Sequence, residues 1–496
     1  MKFARPRSNN QTVKLGSFGG AGQRALLRLG FLFLAVCAGV VYVSREFTYG
    51  RWDIDPYIYQ YIGLAAAGGV VLILLYGWLT RYTSSRFALI SIFIFGLIAR
   101  LMMFASNPVL EDDWHRYLWD GAVVADGSDP YKFSPAEATP IDRFGNQIDW
   151  SDDPELLRLQ ELVDGLTQEE FDVYWRVNYP YYKTIYPPIA QGGFGLAHFI
   201  SPYNLNGWRG VLLLVDLISF ALIVWVLGLF GRSSAWVGLY WWNPVVVFEV
   251  FNAGHMDVLI VPFLVGALGL AKLGHLYRAV LALSGAAAVK FWPILLAPML
   301  VRKEMFNLKR LIPLALLFCG VSFVLLWPQL RYVLVDPDQG LVAYSEAWRR
   351  HAFLYSVFVE GPFRWFGDPI TATRQFVVLA VGGGALWFAW RNPSWIGKTE
   401  ADRMAAGLLA VTALLLFLSP TGYPWYQVWL AGLIPFAPRL GYLVFTIMAP
   451  IYYLRFIFGD ENPVYQWIWV PIAFGIPLLL LLIPERVYRR LPHGRP

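Results

Sequence analysis

The 496-residue chain has few charged residues and almost no cysteine. Charged side chains make up 15% of it, whereas a soluble protein carries about a quarter. Its two cysteines, Cys37 and Cys319, both lie inside apolar runs, so we expect neither a disulfide nor a zinc site. The chain also shows no internal repeat of the kind found in inverted-repeat transporters. These absences argue against a separate soluble domain and weaken a transporter interpretation.

What the chain has instead is a long series of apolar segments. Hydrophobic residues make up 57% of the sequence. Apolar runs of about 18–20 residues, long enough to cross a hydrocarbon core of about 30 Å, recur from end to end. We count 11 to 14 such segments, of which 188–200, 279–300 and 425–436 are the weaker ones. The sequence therefore predicts an all-α, polytopic integral membrane protein.

The charges divide the chain by sign. The loop 106–186 holds 17 of the 34 acidic residues and 6 basic ones, which leaves a net charge of +17 on the rest of the chain. Basic residues cluster in short loops and in both tails, and the positive-inside rule makes these segments cytoplasmic. We read them as topological signals rather than as nucleic-acid sites. The acidic loop and a second long loop, 330–371, are then both predicted on the outer face.

The acidic loop carries its own helix signals. A helix start is predicted at Asp153-Pro154-Glu155, and a capping box at Thr167-Gln168-Glu169-Glu170 starts another helix. Large apolar residues recur with helical spacing over Trp114–Ala125. The two later helices are amphipathic with acidic polar faces, which suggests segments that lie on the membrane surface. The alternative is that their role is purely structural.

Adjacent carboxylates stand at the start of this loop. Asp112 and Asp113 follow a predicted span, with Arg116 and Tyr117 one helical turn further on. Neighbouring carboxylates at a water–lipid boundary raise one another's pKa, which suits a general base. The alternative is that Asp112 only caps the helix beginning at Trp114 and that Asp113 is solvated.

Further ionisable residues lie near apolar spans. Lys290 is flanked by apolar residues, where a lysine costs about 2.5–3.5 kcal/mol, so it must pair with a carboxylate or contact a phosphate. His255 and Asp257 stand at a span end, either as a satisfied interfacial pair or as site residues. Arg349 and Arg350 suit a phosphate or a surface ion pair equally well.

Two further features of the sequence are weaker signals of function. Asp216 is read as a structural partner inside a span. The aromatic residues Trp425 and Tyr426 form either an interfacial belt or a wall against a sugar or prenyl chain. No cluster of metal ligands is evident in the sequence.

In their order along the chain, these motifs resemble the GT-C superfamily of membrane glycosyltransferases, and most of all the bacterial enzymes that use polyprenyl-phosphate mannose. The resemblance runs from about residue 87 to 436. It rests on the following motifs: Asp112-Asp113-x-x-Arg116-Tyr117-x-Trp119-Asp120-Gly121, Asp129-Pro130-Tyr131, Tyr186-Pro187-Pro188, Trp242-Asn243-Pro244, Gly254-His255-x-Asp257, Lys290-x-x-Pro293, Trp348 and Pro424-Trp425-Tyr426.

The resemblance implies a hexosyl transfer, with mannose favoured, from a polyprenyl-phosphate donor to a lipid- or glycan-linked acceptor hydroxyl, with inversion and without a cofactor. It places the protein in the inner membrane with its active site outside. Asp113 is the implied base and Asp112 the second carboxylate. The implied substrate-binding residues are Arg116, Tyr117, Asp120, Tyr186, His255, Asp257, Lys290, Arg349, Arg350, Trp425 and Tyr426.

The same likeness divides the chain into three parts. Residues 1–86 would be a cytoplasmic tail with two additional spans, 87–436 the catalytic core, and 437–496 the last spans with a basic tail. Two other activities stay open from the residues alone, a flippase for a lipid-linked glycan and a ligase that joins whole glycans to a lipid.

Overall fold

The structure is a computed structural model that describes residues 19–82, 85–139, 153–336 and 339–483. Both basic tails and the middle of the acidic loop lie outside these residues. The predicted fold class is confirmed, because the described chain consists of helices and connecting loops and contains no strand.

Nine helices within the described residues are long and apolar enough to cross a membrane, or ten if one bent pair counts as a single span. The bent pair is Val246–Asn252 with Met256–Lys272. The nine are Gly20–Ser44, Asp55–Arg81, Arg86–Met103, Leu205–Leu229, Leu308–Val333, Pro369–Arg391, Glu400–Leu418, Leu440–Phe458 and Tyr465–Leu482. The protein is therefore polytopic.

The remaining apolar segments counted from the sequence are short or broken. The helix Pro188–Ile200 has 13 residues, which gives a length of about 20 Å at 1.5 Å per residue, too short to span. The segment 279–300 divides into Leu276–Ala287, Trp292–Leu296 and Ala297–Leu300, with Lys290 in the break. Broken helices in membrane proteins line cavities or pack inside protein.

A second break lies at 253–255. The axes of the helices before and after this break differ by 114°. Gly254 provides the turn with a backbone φ of +82°, a conformation that residues with a Cβ atom rarely adopt. The indole Nε1 of Trp208 donates to the Gly254 carbonyl at 2.6 Å. Because Pro188–Ile200 does not span, the acidic loop and this break reach the same end of the bundle.

Short helices complete the chain. Those of the two long loops are Asp113–Asp126, Pro135–Ala138, Pro154–Asp164, Gln168–Trp175, Gly340–Ala347 and Phe353–Glu360. Among the others are Ser234–Val237, Gly238–Trp241, Arg302–Glu304, Ser394–Ile396, Pro424–Tyr426, Gln427–Ala431 and Ile434–Phe436.

The acidic-loop helices form where the sequence predicts them, but their apolar faces meet protein. Thr167 caps Gln168–Trp175 in the predicted capping box. Leu159, Val163 and Tyr174 are buried in one cluster with Trp119, on the helix Asp113–Asp126. These apolar faces are therefore buried against the helix that follows Asp112 rather than left for the membrane surface, which favours the structural role.

Basic and acidic residues from several short loops meet at the other end of the bundle. Arg232 pairs with Asp402 at 2.8 Å, and Arg302 and Arg403 both pair with Glu400. These residues follow or precede spans whose opposite ends reach the acidic loop. The bundle thus has one end rich in cations and one end formed by the two long loops.

The two long loops contact each other. Lys183 of the acidic loop pairs with Asp336 at 2.6 Å, and Tyr179 packs its ring against Trp348 at 5.0 Å. The backbone of Arg350 in turn pairs with that around Thr421. Residues distant in sequence are thereby joined at one end of the bundle.

Candidate active site

The carboxylates at the start of the acidic loop lie in a polar cluster. The amide Nδ2 of Asn178 donates to Asp113 Oδ1 at 2.6 Å and to Asp112 Oδ1 at 2.9 Å. Asp112 precedes the helix Asp113–Asp126, but its side chain makes no capping hydrogen bond. The alternative in which Asp112 serves only as a cap is therefore wrong, because its carboxylate is bound to Asn178.

Asp113 has the electrostatics of a base. Burial raises its pKa to about 6, with the charge of Asp112 adding to the shift, while Asn178 and Lys290 oppose it. Burial raises the pKa of Asp112 as well. The Asp113 side chain keeps 22% of its surface exposed, so a substrate can reach it. A carboxylate with such a pKa is ionised at neutral pH and still basic enough to take a proton.

His255 faces this carboxylate from the break in the span. Its Nδ1 lies 3.7 Å from Asp113 Oδ2, and its Nε2 lies 3.7 Å from Glu111 Oε2. The imidazole stacks on Trp425 with ring centroids 3.8 Å apart. The sequence-predicted His255 and Trp425 are thus brought to Asp113, although Trp425 is almost buried and supports the histidine.

Lys290 brings a cation into the same cluster. Its Nζ donates to Asp257 Oδ1 at 2.7 Å, and the indole of Trp429 donates to the same oxygen at 2.6 Å. The ammonium also lies 4.2 Å from the centroid of the Tyr426 ring. Lys290 keeps 18% of its side chain exposed, whereas Asp257 keeps 1%. The exposed partner of this pair is therefore the cation.

The first helix of the loop is anchored by a network that leaves little room for substrate contacts. Arg116 Nε donates to Asp120 Oδ1 at 2.7 Å, and both side chains are buried. Thr184 and Gln191 donate to the other oxygen of Asp120 at 2.5 and 2.9 Å. Arg116 and Asp120 are thus satisfied by protein groups and fix the helix that carries Asp113.

Two predicted tyrosines take part in the same anchoring. Tyr117 stacks on Phe194 of the helix Pro188–Ile200, with ring centroids 4.7 Å apart, and meets Tyr186 edge to face at 5.1 Å. The Tyr117 hydroxyl faces Asp113 Oδ2 at 3.4 Å. These aromatic rings therefore hold the helix at its position beside the carboxylates.

The two predicted arginines of the second loop already have partners. Arg349 lies 3.6 Å from Glu360, and Arg350 bonds Asp460 at 2.5 Å. Lys290, by contrast, lies close enough to Asp113 for its charge to lower the pKa of that carboxyl group. Of the predicted cations, Lys290 is the one that the structure places in the cluster.

Comparison with known proteins adds a family to this geometry. A family described as "Alpha-(1->6)-mannopyranosyltransferase, N-terminal domain" matches residues 19–304, more than half of the chain. The chain belongs to this mannosyltransferase family. The match covers the first two helices as well as Asp113, His255 and Lys290.

A curated relative supports the same family assignment. The chain is 22% identical to "Alpha-(1->6)-mannopyranosyltransferase A" of Mycobacterium tuberculosis (strain ATCC 25618 / H37Rv) over 418 residues, which cover 77% of this chain and 73% of that protein. The resemblance inferred from the motifs is confirmed at the level of a mannosyltransferase. Neither comparison supports the flippase.

Sequence reasoning missed four residues of this mannosyltransferase's cluster. Glu111 stood beside the chosen carboxylates, but nothing marked it as buried. Asn178, Trp429 and Tyr344 carry no motif signal, and the hydroxyl of Tyr344 bonds that of Tyr426 at 2.5 Å. Within the described residues, no three His, Cys, Asp or Glu side chains form a possible metal site.

Proposed function

We propose that this enzyme transfers mannose from polyprenyl-phosphate mannose to a hydroxyl of a lipid- or glycan-linked acceptor, at the outer face of the inner membrane. The observation that carries the proposal is Asp113, a partly exposed carboxylate with a pKa of about 6 and a lysine nearby. Family membership supports mannose as the transferred sugar, and the geometry of the site supports Asp113 as the base.

In the proposed reaction, Asp113 takes the proton of the acceptor hydroxyl while the acceptor oxygen attacks the anomeric carbon. The bond between that carbon and the phosphate oxygen breaks, and its electron pair leaves with the polyprenyl phosphate. A phosphate is a good leaving group, so the step requires no strong general acid. The attack comes from the face opposite to the leaving group, which inverts the anomeric centre.

Lys290 is the proposed partner of the leaving phosphate. A fixed cation stabilises the negative charge that grows on the phosphate oxygen in the transition state. Its contact with Asp257 holds the ammonium at the cluster, and its exposed fraction leaves it able to bind an anion. Asp112 shares the Asn178 amide with Asp113 and helps to raise the pKa of Asp113.

The distribution of charge supports the proposed membrane side. The cationic end with Arg232, Arg302 and Arg403 suits the cytoplasm by the positive-inside rule. The catalytic cluster lies at the opposite end, where a donor with an outward-facing sugar would be bound.

Replacement of the base tests this proposal. We expect Asp113→Asn to lower mannosyl transfer by at least about 100-fold, the low end for a general base, while the protein still folds and binds donor. Asp112→Asn is expected to do less. Transfer by the native enzyme should also fall as the pH drops below about 6, because Asp113 then becomes protonated. Near-normal turnover of Asp113→Asn in a purified assay would refute the assignment.

A further inference from the structure

Glu111, His255 and Asp113 form a line of titratable side chains beside the reacting carboxylate. His255 lies between the other two, at 3.7 Å from each. Its side chain is fully buried, and Glu111 is 7% exposed. Neither ring nitrogen of His255 nor Glu111 Oε1 has a hydrogen-bond partner. Buried polar atoms nearly always have one, so these atoms require an explanation.

The imidazole is held in this orientation from two sides. Its plane lies on the Trp425 ring at an angle of 16°, and its backbone N–H donates to the Glu249 carbonyl at 3.0 Å. Shifts of a few tenths of an ångström would bring each nitrogen within hydrogen-bond distance of its carboxyl group. Catalytic hydrogen bonds are often long without substrate and shorten when it binds.

The environments of the two carboxyl groups differ. Burial raises the pKa of Glu111 well above its usual range, and the charge of Asp113 raises it further. Asp113 is the more exposed of the two and has Lys290 nearby. The proton therefore belongs on Glu111 and the negative charge on Asp113. A protonated carboxyl donates one hydrogen bond, and a neutral imidazole accepts at one nitrogen and donates at the other.

We propose that Glu111 and His255 are positioning residues for the base. Protonated Glu111 donates to His255 Nε2, which fixes the tautomer that carries its hydrogen on Nδ1. That Nδ1–H then donates to Asp113 Oδ2, while Asn178 donates to Oδ1. The Tyr117 hydroxyl also donates to Oδ2, at 3.4 Å. The carboxylate is thus oriented through both oxygens and keeps a free lone pair on Oδ1 for the acceptor's proton.

In this arrangement the acceptor's proton stays on Asp113, and no covalent step passes through His255. The inference rests on the proposed role of Asp113 as the base. The titratable and charged groups that also face this line are Tyr61, Asp112, Tyr117, Tyr179, Tyr186, Glu249, Asp257, Lys290, Tyr344, Tyr423, Tyr452 and Tyr453.

Replacement of His255 tests the hydrogen bond to the base. His255→Leu removes the donor, whereas His255→Asn places an amide N–H near the position of Nδ1. We expect His255→Leu to lower kcat/KM by at least about tenfold, the effect of a lost hydrogen bond to a charged group. The acidic limb of its kcat/KM profile should move up by about one pH unit, because an unsupported carboxylate is more easily protonated. His255→Asn should recover most of the lost kcat/KM and return the acidic limb close to its native pH.

Replacement of Glu111 tests its protonation state. Glu111→Gln keeps an N–H donor for Nε2 and no negative charge, whereas Glu111→Leu keeps neither donor nor charge. We expect the glutamine variant to be at least about tenfold more active than the leucine variant, with its acidic limb near that of the native enzyme. Equal losses in both variants would overturn the proposal, because they would mean that the ionised carboxylate is required.

Both sets of variants are measured on purified full-length protein with polyprenyl-phosphate mannose as donor. An acidic limb that does not move in His255→Leu also overturns the proposal. Should a leucine variant not fold, the variants that keep a donor still test the proposal. A shift of the acidic limb by more than about half a pH unit in His255→Asn or Glu111→Gln would then overturn it. Failure of the proposed function is distinguishable, since it would show as an active Asp113→Asn enzyme.

Discussion

The pairing of Lys290 with Asp257 makes Lys290→Met an informative substitution. Methionine keeps the length and apolar character of the lysine side chain but removes its charge. Asp257 is 1% exposed and would keep only the Trp429 indole as a donor. Removing one partner of a buried pair costs about 3–5 kcal/mol. Because Lys290 is 18% exposed, we expect the lower end, about 3 kcal/mol, seen as a lower Tm.

The same variant should bind the donor more weakly. A charge-assisted contact to phosphate contributes about 1.5–3 kcal/mol, which corresponds to at least about tenfold in Kd. Binding is measured on purified protein with polyprenyl-phosphate mannose, and the unphosphorylated polyprenol serves as the ligand without an anion. Arg158→Met is a matched control, because Arg158 is an exposed cation of the acidic loop that pairs with Asp126 at 3.2 Å.

A double variant separates stability from binding. Lys290→Met with Asp257→Asn leaves no charge in the pair and keeps an oxygen that accepts from Trp429. We expect the double variant to regain most of the lost Tm while its donor affinity stays at least about tenfold weak. If affinity returns together with Tm, the single variant bound poorly because of its damaged packing, and the phosphate role of Lys290 is wrong.

Three further outcomes are expected. Asp216→Asn should cost about 3–5 kcal/mol of stability, because Asp216 and Arg100 form a fully buried ion pair at 2.5 Å. The donor affinity of the folded fraction should stay native, and a specific loss of donor binding would contradict a structural role. Asn178→Ala removes a hydrogen-bond donor from Asp112 and Asp113, so kcat/KM should fall about tenfold and the acidic limb of its pH profile should move to higher pH. An acidic limb that does not move would contradict the bond to Asp113. In a chain without Cys37 and Cys319, cysteines at Glu161 and Gly367 should react with an impermeant reagent in intact cells, and one at Lys303 only after permeabilisation; the reverse pattern would refute the outer site.

The sequence predicts the fold class well because apolar length and charge distribution are local properties. The acidic loop's helix starts, at Thr167 for example, could likewise be read from neighbouring residues. The surface on which those helices pack could not, since it depends on Trp119 some forty residues earlier. The division into core and additional parts stays a prediction.

The site was predictable only in part. Asp113, His255 and Lys290 stood out because charged or titratable residues are uncommon beside apolar spans. Their partners did not stand out. From the sequence alone, Asp216 and Glu249 in neighbouring apolar segments could equally have been the carboxylates that pair with Lys290. In the structure, however, Asp216 pairs with Arg100 and Glu249 accepts from Tyr453. Asn178 bonds carboxylates 65 and 66 residues away, and no local pattern predicts such a contact.

The short helix Pro188–Ile200 also constrains how the protein is made. During synthesis it enters the translocon as an apolar segment, yet it must not remain across the bilayer. Its place is fixed by backbone contact, since a Cβ on Gly121 would lie 2.4 Å from the Phe194 carbonyl oxygen. Leu205–Leu229 follows after a few residues and supplies the true span. His255 and Lys290 come later still in the chain, so the cluster around Asp113 is complete only after the segments beyond this span have been synthesised.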